Sequence, residues 1–245
     1  MVLTNSRNKL AYLITVSRNH VLPCRMLLAT LRSKTSNNIY VIGNLSAEQR
    51  KEIAEWSIVY IDENDIDLSN RMPPLRWDQK YREKGWYRQM FLRLSADRFV
   101  EAEQVVILDA EVFVFDNWDE RRFYSVLGDP KCFFWIPKVR KPDWDYRMYR
   151  GAAFLYQGLP SFENVMGYAN SDQFRRHISG VVLFSTRNLR HIWNTLSEQT
   201  DLAANLAHLF NDEPELAFSD HDYYGISDQV NRDAWDFLKT KTLAQ

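Results

Sequence analysis

Between Lys9 and Ile61 short apolar runs alternate with helix signals, and that alternation restricts the fold more than any other feature of the chain. Lys9 to Val16 reads as a strand ending in Thr15-Val16-Ser17-Arg18. Pro23 opens a helix at its permissive first turn, with Met26, Leu27 and Leu31 on the apolar face. Ile39-Tyr40-Val41-Ile42 is the next strand and stops at Gly43-Asn44. Ser46 followed by Gln49 is a capping-box signature for a second helix, and Ser57 to Ile61 is a third strand. A β-α-β-α-β order predicts an α/β protein with a mostly parallel central sheet, right-handed crossovers and flanking helices, a Rossmann-like half. No G-x-G-x-x-G follows the first strand and no G-x-x-x-x-G-K-[ST] occurs, which disfavours dinucleotide and P-loop chemistry.

Beyond this half the signals are more varied. Asp62 to Arg76 is polar and broken by Pro73-Pro74, a loop or lid. Residues 78–98 carry Trp86, Tyr87, Met90, Phe91 and Leu94 at helical spacing. That helix feeds the apolar run Val105 to Leu108, which ends in Asp109-Ala110-Glu111, and a second apolar run, Val112 to Phe115, follows. Uninterrupted apolar residues suit a strand covered on both faces. Asp116 and Asp119 read as turn or capping residues. Cys132 to Ile136 and Ile178 to Phe184 are strand-like, and a helix is expected from about Arg187 to Leu196. Residues 137–176 are irregular and rich in aromatics, more in keeping with a binding loop than a connector. Trp144, between Asp143 and Asp145, is the ring expected to be exposed. With no repeats and no inter-domain linker, residues 1–245 read as one domain.

Composition excludes several classes. Lys and Arg number 31 against 32 Asp and Glu, so no average charge favours a polyanion. The basic cluster Lys138, Arg140, Lys141, Arg147 and Arg150 is the one local patch that would suit nucleic acid, which is not a favoured partner. The two cysteines, Cys24 and Cys132, lie far apart and form no C-x-x-C, consistent with reduced thiols in a cytoplasmic protein. No apolar run reaches the roughly 18 residues of a membrane span, and the first residues lack a signal-peptide pattern.

The chemistry concentrates at Asp109-Ala110-Glu111. In α/β sheets the ligand crevice lies outside the carboxyl ends of the strands. Two carboxylates one residue apart there can hold a hard divalent cation whose other positions go to water and substrate phosphates. The plainer alternative is that acidic residues often terminate strands.

Three blocks occur in order: Gly85-Trp86-Tyr87-Arg88-Gln89-Met90-Phe91-Leu92-Arg93-Leu94, Val106-Ile107-Leu108-Asp109-Ala110-Glu111, and Phe218-Ser219-Asp220-His221-Asp222-Tyr223-Tyr224-Gly225. Together they resemble a family of small bacterial GT-A-like glycosyltransferases that shows W-Y-R-Q on a helix, L-D-A-D at a strand end and F-S-E-x-E-x-Y-G near the C-terminus. The resemblance spans roughly residues 10–230. This sequence departs from the pattern at Glu111, Asp220 and Asp222, each keeping the carboxylate and changing its reach by one methylene.

The resemblance implies a single GT-A-like domain, with a nucleotide-sugar half over about residues 9–115 and an acceptor-side half over about 116–245. It implies that Asp109 and Glu111 position Mn²⁺ or Mg²⁺ on a donor diphosphate, and that Asp109 thereby belongs to the donor site. Thr15, Ser17 and Arg18, after the first strand, fall where such a fold binds its nucleotide; an ordinary polar strand end is the alternative. Arg88, and less so Gln89, would contact the donor, since a guanidinium pairs bidentately with phosphate, or equally with an acidic side chain. Asp220 and Asp222 are the catalytic candidates. One of them would accept the acceptor's proton in an inverting transfer, or support a retaining mechanism, or orient the acceptor. His221 and His177 read first as hydrogen-bonded structural residues and second as metal ligands.

The expected activity is therefore metal-dependent glycosyl transfer from a nucleotide-sugar donor, a UDP-sugar, to a glycan or other hydroxyl-bearing acceptor. Alternatives are a non-catalytic nucleotide-sugar or glycan-binding protein, a sugar transferase acting on modified phage DNA bases, and a nucleotidyltransferase.

Overall fold

A computed structural model describes residues 9–72, 84–114, 116, 118–123, 181–199 and 205. By internal contacts the chain divides into two compact units. One comprises Met1–Leu68, Leu92–Phe133 and Ser179–Leu189, and the other Ser69–Phe91, Phe134–Ile178 and Arg190–Gln245.

The first unit holds a five-stranded sheet: β1 (Leu10–Thr15), β2 (Asn38–Gly43), β3 (Val59–Asp62), β4 (Gln104–Asp109) and β5 (Val181–Ser185), in the order β3-β2-β1-β4-β5. The pairs β1/β2, β1/β4 and β2/β3 are parallel, and β5 runs antiparallel to β4. The expected mostly parallel α/β sheet is thus present. Every residue of β1 is buried, on both faces, in keeping with its apolar run Leu10–Ile14; the polar Thr15 ends it.

Helix α1 (Val21–Arg32) turns Val21, Cys24, Leu27, Leu28 and Leu31 inward. These pack in one cluster with Leu10, Tyr12 and Ile14 of β1, Ile39 and Val41 of β2, and Val106 and Leu108 of β4. Met26 does not join them: it is 48% exposed, four residues from the exposed Leu22. The helix begins two residues before Pro23, and its buried stripe runs through 21, 24, 27/28 and 31, an i, i+3, i+4 series that leaves 22 and 26 together on the outer face. Helix α2 (Ala47–Ala54) starts with the expected reciprocal cap: the Ser46 side chain accepts from the Gln49 amide, and the Gln49 side chain accepts from the Ser46 amide.

Between them, β2 ends in a glycine for a steric reason. A Cβ at Gly43 would collide with the Val16 carbonyl oxygen, where β1 and β2 leave the sheet side by side. Nearby, the Arg32 guanidinium donates to the carbonyls of Trp56, Ser57 and Asn37 at 3.0, 3.0 and 2.9 Å and ties the C-terminal end of α1 to the chain entering β2 and β3.

The predicted helix over 78–98 is described from residue 84: α3 (Lys84–Leu94) is followed by a 3-10 turn, Ala96–Arg98. Val112, Phe113 and Val114, the described part of the run Val112 to Phe115, are not in a strand. The chain turns at the end of β4, where the Val112 amide donates to the Asp109 carbonyl at 3.0 Å, and of the following residues Phe113 is exposed while Val114 is buried. Helix α4 (Thr186–Gln199) follows β5 directly, close to its expected bounds. In the second unit the Arg71 guanidinium lies over the Trp193 ring, 4.9 Å from its centroid. The predicted strand Cys132 to Ile136 and the aromatic stretch 137–176 fall outside the described residues.

Candidate functional site

Strand β1 connects onward to β2 on one side, while the chain beyond β3 crosses to β4 on the other. The β1/β4 junction is therefore the topological switch point, where open α/β sheets place their ligands. Thr15, the last residue of β1, is the register partner of Asp109, the last of β4. Side chains alternate along a strand, so Thr15 and Asp109 share the face of Leu13 and Ile107, opposite the face that α1 covers.

A buried arginine joins the two. Arg93 of α3, 8% exposed, donates from Nε and Nη2 to the Thr15 hydroxyl at 3.0 and 2.8 Å. Its Nη2 also pairs with Oδ1 of Asp109. A guanidinium at that depth is tolerable only with such partners. The Asp109 side chain is 43% exposed, and among the described residues its Oδ2 has no hydrogen-bond partner.

Glu111 is held differently. The turn after Asp109 carries it to the other side, where its Oε1 lies 3.0 Å from Nε2 of His20, with side chains 54% and 46% exposed. Nδ1 of His20 is 2.6 Å from the Ser17 hydroxyl. That contact is local: residues 18–20 form a 3-10 turn in which the His20 amide donates to the Ser17 carbonyl at 2.9 Å, and side chains three apart eclipse in such a turn. Cys24, one turn into α1, feels the same carboxylate. Burial chiefly, and then the charge of Glu111, pushes its thiol up to about 12.

The remaining candidates are placed as follows. Arg18 donates from Nε and Nη2 to the carbonyl and side-chain oxygens of Asn44 at 2.8 and 3.0 Å, clamping the loops after β1 and β2 together. Gln49 reinforces the clamp by donating to the Arg18 carbonyl at 3.0 Å. Thr15, Ser17, Arg18, Asp109 and Glu111 thus gather at the carboxyl ends of β1 and β4 in the first unit. Arg88 and Gln89 are half-buried on the part of α3 that belongs to the second unit. Asp220, Asp222, His221, His177, Trp144 and the basic cluster Lys138 to Arg150 lie outside the described residues.

Asp109 and Glu111 offer the oxygen donors that a hard divalent cation takes. Each carboxylate is half-exposed, and each has one oxygen engaged while the other has no partner among the described residues. No group of three or more His, Cys, Asp or Glu side chains converges among the described residues. A site of one or two carboxylates would leave water and phosphate oxygens to complete the shell of such an ion.

The sequence reading missed Arg93 and His20. Arg93 left a signal, since it interrupts the apolar run Met90-Phe91-Leu92-x-Leu94, and a cation in such a run needs a buried partner. His20 left none.

No family model and no curated protein sequence matches the chain. Solved structures do. Core-mannan synthase A from Aspergillus fumigatus, in its Mn/GDP form, superposes with a TM-score of 0.51 at 11% identity, covering 93% of this chain and 71% of that one. A mannosyltransferase from S. cerevisiae in complex with GDP gives 0.53 at 11% identity, covering 90% and 66%. A galactosyltransferase in complex with donor and acceptor sugar analogs gives 0.48 at 14% identity, covering 87% and 68%. The chain has the α/β fold of the GT-A glycosyltransferases. It spans roughly two thirds of the length of these proteins.

Proposed function

We propose that this protein is a metal-dependent glycosyltransferase that moves a sugar from a nucleotide-diphosphate donor to a hydroxyl acceptor, a glycan. The observation that carries the reading is the pairing of Thr15 with Asp109 across the β1/β4 switch point, with Glu111 on the adjoining turn. Asp109 and Glu111 would hold Mn²⁺ or Mg²⁺, which when bound neutralises charge developing on the departing nucleotide. Arg93 fixes one Asp109 oxygen and leaves the other to the ion. Thr15, Ser17 and Arg18 border the same strand ends and are assigned to the nucleotide. Arg88 and Gln89 are assigned to the donor, and Asp220 or Asp222 to the proton of the attacking hydroxyl.

UDP is the nucleotide that we assign. GDP, present with two of the similar proteins, is the competitor to test. We assign a cytoplasmic location on the free thiol of Cys24; no helix among the described residues is long and apolar enough to cross a membrane.

Calorimetric titration of UDP and GDP with and without Mn²⁺, followed by donor hydrolysis assays, tests the reading. The expected result is nucleotide binding that requires metal, slow hydrolysis of the matching donor, and loss of both in Asp109→Asn. Equal nucleotide affinity with and without Mn²⁺ would overturn the metal assignment. Metal-dependent binding with no hydrolysis or transfer of any donor would identify a nucleotide-sugar-binding protein instead.

A further inference from the structure

We propose that His20 is a positioning residue for the metal site, holding the Glu111 carboxylate in place through a relay that begins at Ser17. The inference rests on the glycosyltransferase reading and adds to it a residue that the acidic motif does not contain.

Glu111 is one methylene longer than an aspartate at the same position would be. Its carboxylate can sample more rotamers around the turn after β4, and a hard cation that demands near-ideal geometry selects against that freedom. The structure supplies a restraint. Oε1 of Glu111 lies 3.0 Å from Nε2 of His20, and Nδ1 of His20 lies 2.6 Å from the Ser17 hydroxyl. One neutral tautomer satisfies both contacts: the Ser17 hydroxyl donates to Nδ1, and Nε2–H donates to Glu111. Ser17 is fixed in turn by the 3-10 turn that leads from β1 into α1. The carboxylate then has one oxygen anchored and the other without a partner among the described residues, matching Asp109, whose Oδ1 is anchored by Arg93. Partners that orient ligating carboxylates in this way tune metal affinity.

Exposure argues that the relay serves position, not stability. His20 and Glu111 are both about half-exposed, and even a fully charged pair at that exposure contributes little to folding. His20 is also the residue before α1 and makes no side-chain cap to that helix; its Nδ1 lies against Ser17 instead.

Mn²⁺ affinity of the full chain, followed by electron paramagnetic resonance without nucleotide, tests the proposal together with melting temperature. His20→Ala should weaken Mn²⁺ binding by about tenfold, at the lower end for a partner that orients a ligand, with the melting temperature unchanged. Ser17→Ala should weaken it less and add nothing in the His20→Ala background. In the Glu111→Asp background the shorter carboxylate no longer reaches the imidazole, so His20→Ala should change affinity by less than about twofold, the margin of additivity. A loss of equal size in both backgrounds would overturn the proposal and make His20 a ligand in its own right. Wild-type affinity in His20→Ala, with Asp109→Asn still impaired, would overturn this proposal alone. If wild type binds no Mn²⁺, or Asp109→Asn binds it as wild type does, the metal reading falls and takes this proposal with it.

Discussion

Asp109 and Glu111 stand one residue apart, yet the protein holds them in opposite ways. Asp109 is gripped from inside by Arg93, a guanidinium buried beneath the sheet's carboxyl edge and shared with Thr15. Glu111 is gripped from outside by His20, on the face that α1 covers, where both partners meet solvent. A buried charge stripped of its partner is expensive, whereas an exposed pair is nearly free to break. The two carboxylates can therefore share one proposed task while only one of them is tied to folding. Function and stability should separate cleanly when each is altered.

The largest effect is expected at Asp109. Asp109→Asn keeps an oxygen for Arg93 to bond but loses the charge, and metal assistance is worth several kcal/mol of barrier. Turnover in a donor hydrolysis or transfer assay should fall by at least about 100-fold, while the variant remains folded by circular dichroism. Unchanged turnover at matched Mn²⁺ would break the comparison at its root.

Arg93→Met comes next, and its effect is on stability. The substitution keeps apolar volume but leaves Asp109 and the buried Thr15 hydroxyl without the guanidinium. We expect a loss of about 2–3 kcal/mol in urea unfolding, below the full cost of breaking a buried pair because Asp109 can be rehydrated. A loss under about 0.5 kcal/mol would show that the inner grip is no more structural than the outer one.

Glu111→Gln should sharpen the contrast from the other side. Mn²⁺ affinity should drop by more than the roughly tenfold expected when its outer partner His20 is removed, yet unfolding free energy should move by no more than about 0.5 kcal/mol. Glu111→Asp should be milder than Glu111→Gln in metal affinity. Equal destabilisation by Glu111→Gln and Arg93→Met would erase the distinction between the two grips.

The smallest effect is at Cys24. Its thiol is raised from 9.0 to about 12 by burial and by Glu111, so the folded state favours the protonated form. The sign follows: this contribution is intact below about pH 9 and is lost as pH climbs toward 12, because the unfolded chain ionises first. In a Cys132→Ser variant, Cys24 should resist a thiol reagent at pH 8 until the chain is unfolded. Rapid labelling of the native protein would contradict the packing of α1 on the sheet.

The proposed site was only partly legible in the chain. Asp109 and Glu111 announced themselves by ending an apolar run, and Thr15, Ser17 and Arg18 by ending another. Arg93 could have been suspected from its apolar neighbours, although its partners could not. Met26 was misassigned because it is apolar and adjoins Leu27, yet it lies four residues from Leu22 on the outer face, while the buried stripe passes through 24, 27/28 and 31.

What the sequence determined by itself was local: the alternation of strand and helix, the Ser46–Gln49 cap, and strands apolar enough to be buried on both faces. Each depends on residues a few positions apart, so spacing alone reveals it. The tertiary structure decided the rest. It set the order β3-β2-β1-β4-β5, which brings Thr15 beside Asp109, and it turned β5 antiparallel. It also brought Arg93 beneath one carboxylate and His20 beside the other. Those contacts join residues far apart in the chain, and their free energy appears only once the sheet and helices have packed. No local pattern can encode them.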